Sequence, residues 1–266
     1  MILSEYALEN HPSVFYVPNF VTGQEEEYIL RKINGAPKPK WKTLSNRRLQ
    51  VWGGDVSANR LIPQRLPPFL NSFPDIIGRL RETGAFISSK HGEPNHVIVN
   101  EYLPGQGIMP HEDGSSYHPV VATISLRSHT VFNYYRYQPQ NDVLDVSFNS
   151  DTLEDRKRSS STQRGRPVDP QPVLSILLEP RSLVITTGSF YTEHLHGIEA
   201  VSEDVLRPAD ATEGLDHDVA GVLVANRRQL HDAKTKDVAM NGGILQRETR
   251  VSLTCRDVER VMGFQG

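Results

Sequence analysis

His111 and Asp113 stand two positions apart, directly after a loop set by Pro104, Gly105, Gly107 and Pro110. In an extended chain, residues i and i+2 point to the same side. An imidazole nitrogen and a carboxylate oxygen can therefore meet one metal ion while Glu112 faces away. A third ligand is on offer in HLHGI (194–198), from His196 or from its rival His194 two residues earlier. Two histidines and one carboxylate leave three open positions, the facial set that suits non-haem Fe(II) and also tolerates Mn, Co or Zn. The pair alone is weak evidence, because a chain with ten histidines can place His-x-Asp by chance.

Two other segments strengthen it. Asn100 and Tyr102 alternate on the segment that enters the His111 loop, and so share its inner face. RVSLTCR (250–256) puts Arg250, Ser252, Thr254 and Arg256 on one face and Val251, Leu253 and Cys255 on the other. If the polar face is outer, its arginines pair with surface acids. If it is inner, two buried guanidiniums need anions, and a carboxylate ligand clamped bidentately is the functional reading.

The elements that must position these residues follow from periodicity. SVFYVPNF (13–20) reads as a strand. Thr22 to Glu25 matches a capping box, so a helix follows through about Lys32 and stops at Asn34-Gly35. Within 67–84, Leu70, Phe73, Ile77 and Leu80 recur at helical spacing, with Pro74 beginning a turn. From residue 95 the period becomes two. Strands are predicted over 96–103, 119–126, 130–137, 173–179, 182–187 and 249–256. Helices first and strands after make the class α+β, with helices covering one face of a sandwich, jelly roll or barrel. Residues 138–172 and 202–247 are polar and read as partly mobile insertions at strand ends, with an apolar island at GVLVAN (221–226).

Composition narrows the rest. The 266 residues are 37% hydrophobic and 23% charged, enough for one sizeable core or at most two small ones. A net charge of −3 gives no global sign of a nucleic-acid binder. A single cysteine, Cys255, rules out an intrachain disulfide framework and is expected to be a buried small hydrophobe. MILSEYALENHPSVFYV has no basic n-region or long apolar run, and no segment suits a bilayer span. The expectation is an intracellular soluble monomer, cytoplasmic and/or nuclear. His11, His91, His118, His217 and His231 lie in polar contexts and are expected at the surface.

Asn-x-Tyr, Pro-His-x-Asp-Gly, Leu-His-Gly-Ile and Arg-x₅-Arg together resemble the AlkB group of Fe(II)/2-oxoglutarate dioxygenases. Longer stretches, among them NHVIVNEYLPGQGIMPHEDG (95–114) and LLEPRSLVI (177–185), are similar to the branch called AlkB homologue six. The resemblance covers most of 14–137 and 173–200 plus the last strand, and fails over both insertions. It implies a single domain over 1–266 with a double-stranded β-helix (jelly-roll) core at 96–256. Residues 1–95 would form a helical and substrate-lid region whose helices pack on one sheet.

It also implies roles. His111, Asp113 and His196 would hold Fe(II), with His196 preferred over His194 because it precedes Gly-Ile. Arg250 and Tyr102 would take the distal carboxylate of 2-oxoglutarate, and Asn100 would touch the end nearer the metal. Ser252 would line the pocket. Arg256 would steady Asp113 or the near end of the cosubstrate. The reaction would use O₂, release succinate and CO₂, and hydroxylate a C–H bond. An N-methyl carbon would then leave as formaldehyde. The gap from His196 to Arg250 is longer than in the simplest members, which leaves the partner of strand 249–256 open.

PKPKWKTLSNRRLQVW (37–52) holds Lys38 and, as candidate substrate contacts, Lys40, Trp41, Lys42, Arg47, Arg48 and Trp52, with no acid. Basic residues interleaved with aromatics can hold phosphates and stack bases, and the resemblance implies a lid over a flipped base. The plainer alternative is that the tryptophans pack on the core and the lysines face solvent. Oxidative demethylation of alkylated RNA or DNA is therefore the leading expectation. A hydroxylase or demethylase of protein side chains, or a low-turnover iron-containing binding module, stands behind it.

Overall fold

The structure, a computed structural model, describes residues 1–138, 166–208 and 221–263. The N-terminal part contributes β1 (Ala7–Leu8), β2 (His11–Val17), α1 (Gly23–Asn34), β3 (Lys42–Leu44), β4 (Arg47–Trp52), β5 (Gly54–Ser57), β6 (Arg60–Pro63), α2 (Pro68–Asn71) and α3 (Ile76–Glu82). Then come β7 (His96–Tyr102), β8 (Ile108–His111), β9 (Tyr117–Leu126), β10 (Thr130–Tyr135), β11 (Leu174–Leu178), β12 (Leu183–Thr186), α4 (Gly188–Thr192) and β13 (Leu195–Ile198). The chain closes with β14 (Glu203–Leu206), α5 (Ala233–Asn241), β15 (Gly243–Gln246) and β16 (Arg250–Val258).

Two antiparallel sheets face each other. The larger runs β1-β2-β12-β9-β16-β7-β4-β3 and the smaller β11-β10-β13-β8. This is the jelly-roll arrangement expected for the core, in an α+β chain. β16 lies in the middle of the large sheet, with Arg250 opposite Tyr102 and Ser252 opposite Asn100 on β7, and Cys255 opposite Ala122 on β9. The partner of the last strand is thereby settled.

A central strand has two buried faces, and β16 sorts its residues between them by parity. Val251, Leu253 and Cys255 join Val97, Val99, Ala122 and Ile124 in a core beneath the helices. Ile29 and Ile33 of α1, Phe69 and Leu70 of α2, and Ile76, Ile77 and Leu80 of α3 complete that core. Each fully buried Val or Leu contributes roughly 1.5–3 kcal/mol, so this face holds the sheet to its helical cover. The second core lies on the other side, with Tyr102, Phe132, Tyr134, Ile176 and Val184 among its members.

Local signals act as read in the N-terminal region. The Thr22 hydroxyl accepts from Glu25 N at 3.2 Å, and the Glu25 carboxylate accepts from Thr22 N at 2.8 Å. Glu25 also pairs with Arg79, tying α1 to α3. The 67–84 segment is two short helices, not one. Ser72 ends α2 and Asp75 caps α3 by accepting from Gly78 N. Phe73, placed by periodicity on the apolar stripe, falls in the break and is 57% exposed.

The reading of 202–247 as a polar, partly mobile insertion is corrected for its described residues. β14 and β15 pair, and Leu206, Val224, Leu230, Ala239 and Leu245 enter the second core. Asn226 is buried and binds both backbone groups of Leu177 on β11. Arg247 forks onto Asp204 at 2.8 and 2.6 Å and reaches Glu199 O. Most of the 138–172 insertion, and His217, lie outside the described residues. His118, expected at the surface, is buried because β9 carries it under residues 88 and 259, with Glu259 at 3.0 Å and the Ser88 hydroxyl at 3.2 Å. Among the described residues no helix is long and apolar enough to cross a membrane.

Candidate active site

His111 ends β8, and His196 sits opposite it on β13. Their rings lie 4.4 Å apart, centroid to centroid. Two glycines permit this approach. A Cβ on Gly107 would fall 2.3 Å from Ile198 O, and one on Gly197 would fall 3.0 Å from Ile108 O. The Gly after His196 is thus a requirement of strand contact. Asp113 follows β8, and the three side chains offer ligand atoms within 4.8 Å of one another.

The arrangement fits an ion. His111 Nδ1 donates to Met109 O at 2.9 Å, which fixes the tautomer and leaves Nε2 with its lone pair. Asp113 Oδ1 accepts from Arg256 at 2.5 Å, while Oδ2 is buried with no hydrogen-bond partner. Burial drives the His196 ring down to about 4 and lowers His111 as well, so both imidazoles are neutral donors at pH 7. At Asp113 burial pushes upward, but the Arg256 guanidinium, by its charge and its hydrogen bond, holds the carboxyl below its usual range.

His194, the rival ligand, is otherwise engaged. Its Nδ1 donates to Ser189 O at 2.9 Å, its Nε2 accepts from Arg136 at 3.0 Å, and its ring stacks on Phe190. The His196 ring instead stacks on Phe132 at 5.4 Å, facing the cavity.

The cavity between the sheets has a volume of about 250 Å³. Asn100, Tyr102, Arg250, Ser252, Thr254 and Arg256 line it together with His111, Asp113 and His196. The polar face of β16 is therefore inner. Arg250 is 3% exposed, and its side-chain hydrogen bond goes to the Ser125 hydroxyl at 2.7 Å. Its Nε has no partner, and among the described residues no carboxylate pairs with it. Burial drags its pKa down to about 10. A guanidinium buried beside a cavity without a counter-charge is an anion receptor. Arg256, by contrast, is matched by Asp113, and its guanidinium lies over Tyr117 at 4.9 Å.

The basic window is divided by strand parity. Leu49 pairs with Asn100 across β4 and β7, so Arg47 and Leu49 face the cavity, and Lys42, opposite Leu49, shares that side. Arg48, Gln50 and Trp52 face the helices. Arg48 forks onto Glu101 at 2.6 and 2.9 Å and covers Trp41, while Lys40 covers Trp52 at 4.2 Å. Trp52 packs edge-on to Phe69. Lys40, Trp41, Arg48 and Trp52 therefore do not join the cavity, and the base-stacking expectation for the tryptophans is corrected to core packing. Ser125, Phe132, Tyr117 and Thr186 are cavity or partner residues that sequence reasoning missed. For Phe132 the signal was there, in its period-two spacing with Tyr134.

This cavity sets a two-histidine, one-carboxylate cluster beside an unmatched buried arginine, and the profile of the 2OG-Fe(II) oxygenase superfamily matches residues 14–256. The chain belongs to that superfamily. It is a 2-oxoglutarate-dependent dioxygenase of the AlkB-like group. It is 36% identical over 254 residues to the Danio rerio protein named Probable RNA/DNA demethylase ALKBH6, covering 96% of this chain and 89% of that one. It is 24% identical over 209 residues to the Arabidopsis thaliana Alkylated DNA repair protein ALKBH8 homolog, covering 74% and 55%. With the Xenopus tropicalis tRNA (carboxymethyluridine(34)-5-O)-methyltransferase alkbh8 it shares 23% identity over 233 residues, covering 84% of this chain and 31% of that one.

Proposed function

We propose that this dioxygenase removes alkyl groups from nucleic-acid bases by oxidation. The observation that carries the reading is its 36% identity, over nearly the whole chain, to a protein named a probable RNA/DNA demethylase. The cavity supports it. His111 Nε2, Asp113 Oδ2 and His196 would hold Fe(II), and Arg250 would take the distal carboxylate of 2-oxoglutarate with Tyr102 and Ser252 beside it. Bound iron, cosubstrate and O₂ supply the oxidation of a substrate C–H bond, coupled to loss of CO₂ and formation of succinate.

The chain's own residues position and exclude. Arg256 keeps Asp113 ionised and oriented. The Met109 carbonyl keeps the His111 proton on Nδ1. Ile108, Phe132, Val184 and Ile198 wall the cavity with apolar surface and limit water. An N-methyl carbon, once hydroxylated, collapses to formaldehyde and a free amine, so no protein nucleophile or general base is required.

The test is mass spectrometry of methylated nucleosides, oligonucleotides and peptides treated with iron-loaded protein, against His111→Ala. Loss of about 14 mass units, one CH₂, from the nucleic acid, absent with the variant, is expected. Change in the peptides alone would move the substrate class to protein. Succinate released without change in any substrate would favour a low-turnover binding module.

A further inference from the structure

We propose that Arg47 binds a phosphate of the substrate strand next to the base held in the cavity, so that recognition depends on backbone charge. This rests on the nucleic-acid reading above. Four arginines border the cavity or its strands, and three are accounted for. Arg48 is spent on Glu101, Arg256 on Asp113, and Arg250 lies deep, where the cosubstrate's distal carboxylate fits. Arg47 is the fourth. It is half-buried where β4 borders the cavity, and its Nε donates to Asn100 Oδ1 at 3.1 Å.

That bond aims the guanidinium with a neutral amide and leaves both terminal nitrogens open. Among the described residues Arg47 makes no ion pair. Nor does the cosubstrate need it. A dianionic 2-oxoglutarate with Fe(II), Asp113, Arg256 and Arg250 already leaves the cavity positive by one charge before Arg47 is counted. A preset, uncompensated fork at the rim suits an oxyanion arriving from outside, and a phosphodiester is the oxyanion a nucleic-acid substrate brings. The near carboxylate of 2-oxoglutarate has the same chemistry, and the experiment separates the two.

The probe is a short single-stranded oligonucleotide carrying one N1-methyladenine. Matched strands replace one linkage at a time beside that base with a neutral methylphosphonate. Binding to anaerobic Fe(II)- and 2-oxoglutarate-loaded protein is followed by fluorescence anisotropy. For the wild type, one neutral linkage is expected to weaken binding about ten-fold. Arg47→Gln should weaken the fully charged strand by a similar factor, about ten-fold, and abolish the difference between charged and neutral linkages. Its salt slope should fall by about one phosphate contact. Arg47→Lys keeps the charge without the fork and should fall between, with melting curves confirming that both variants fold.

Independent, multiplicative effects of variant and linkage would overturn the assignment. So would a raised Kd for 2-oxoglutarate in Arg47→Gln without linkage coupling, which would give Arg47 to the cosubstrate. Failure of the wild type to bind any strand would instead sink the nucleic-acid reading itself.

Discussion

Replacing Arg250 with methionine separates an anion receptor from a structural cation. Arg250 is buried, and burial takes its pKa from 12.5 to about 10. Below pH 10 the residue is charged in folded and unfolded chains alike, so the cost is fully present at pH 7. At about 1.4 kcal/mol per pH unit that cost is about 3 kcal/mol. Arg250→Met removes the charge, keeps most of the stem volume and loses the Ser125 hydrogen bond, worth about 1 kcal/mol. The ligand-free protein should therefore be more stable by about 2 kcal/mol, a rise of a few degrees in Tm. Affinity for 2-oxoglutarate should fall at least about thirty-fold, because one side of a buried charge pair is gone. Arg256→Met should do the opposite to the fold. It strands the buried Asp113 carboxylate, at a cost of about 3–5 kcal/mol. Scanning fluorimetry of ligand-free and Mn(II)/2-oxoglutarate-loaded protein, with calorimetric titration of the cosubstrate, reads both effects. A ligand-free Arg250→Met that melts as low as Arg256→Met, yet is still stabilised by 2-oxoglutarate, would refute the reasoning.

Three further outcomes follow from the same geometry. His194→Gln should retain one iron per chain by metal analysis, since both ring nitrogens of His194 are engaged elsewhere, whereas His196→Gln should lose it. His96 is buried and driven down to about 4, mainly by burial and then by Arg256. Its neutral form is kept by the fold while the unfolded chain takes a proton near 6.5, so its share of stability is present above pH 6.5 and lost as pH falls toward 4. The share is about 3 kcal/mol, and urea midpoints at pH 7.5 and 4.5 should differ less in His96→Gln than in the wild type. Gly107→Ala would bring a Cβ within 2.3 Å of Ile198 O; the β8–β13 contact should loosen by about 1–3 kcal/mol, seen as a lower Tm together with weaker Mn(II) binding.

The sequence was most legible where one strand serves two buried environments. On β16 the two faces differ in chemistry, so period-two alternation alone separates Arg250, Ser252, Thr254 and Arg256 from Val251, Leu253 and Cys255. The same rule failed on β4 because the sequence contains the parity but not which parity meets the cavity. That choice is fixed by the Leu49–Asn100 register, a long-range fact. The choice of His196 over His194 came from resemblance, and its physical reason is the Arg136–His194–Ser189 chain. The 202–247 segment was illegible for a different reason. Among the described residues its buried apolar positions, Leu206, Val224, Leu230, Ala239 and Leu245, are isolated and widely spaced, and they are held by buried polar anchors such as Asn226 and the Arg247–Asp204 fork. No local period records such a pattern.

The most direct test of the central claim is an anaerobic titration of the protein with Fe(II) and then 2-oxoglutarate, followed by visible charge-transfer absorption. The account predicts a band that saturates at one iron per chain, is lost in Asp113→Ala and His196→Gln, and in Arg250→Met needs far more 2-oxoglutarate to form. An undiminished band in Asp113→Ala and His196→Gln, or an unchanged 2-oxoglutarate requirement in Arg250→Met, would contradict it.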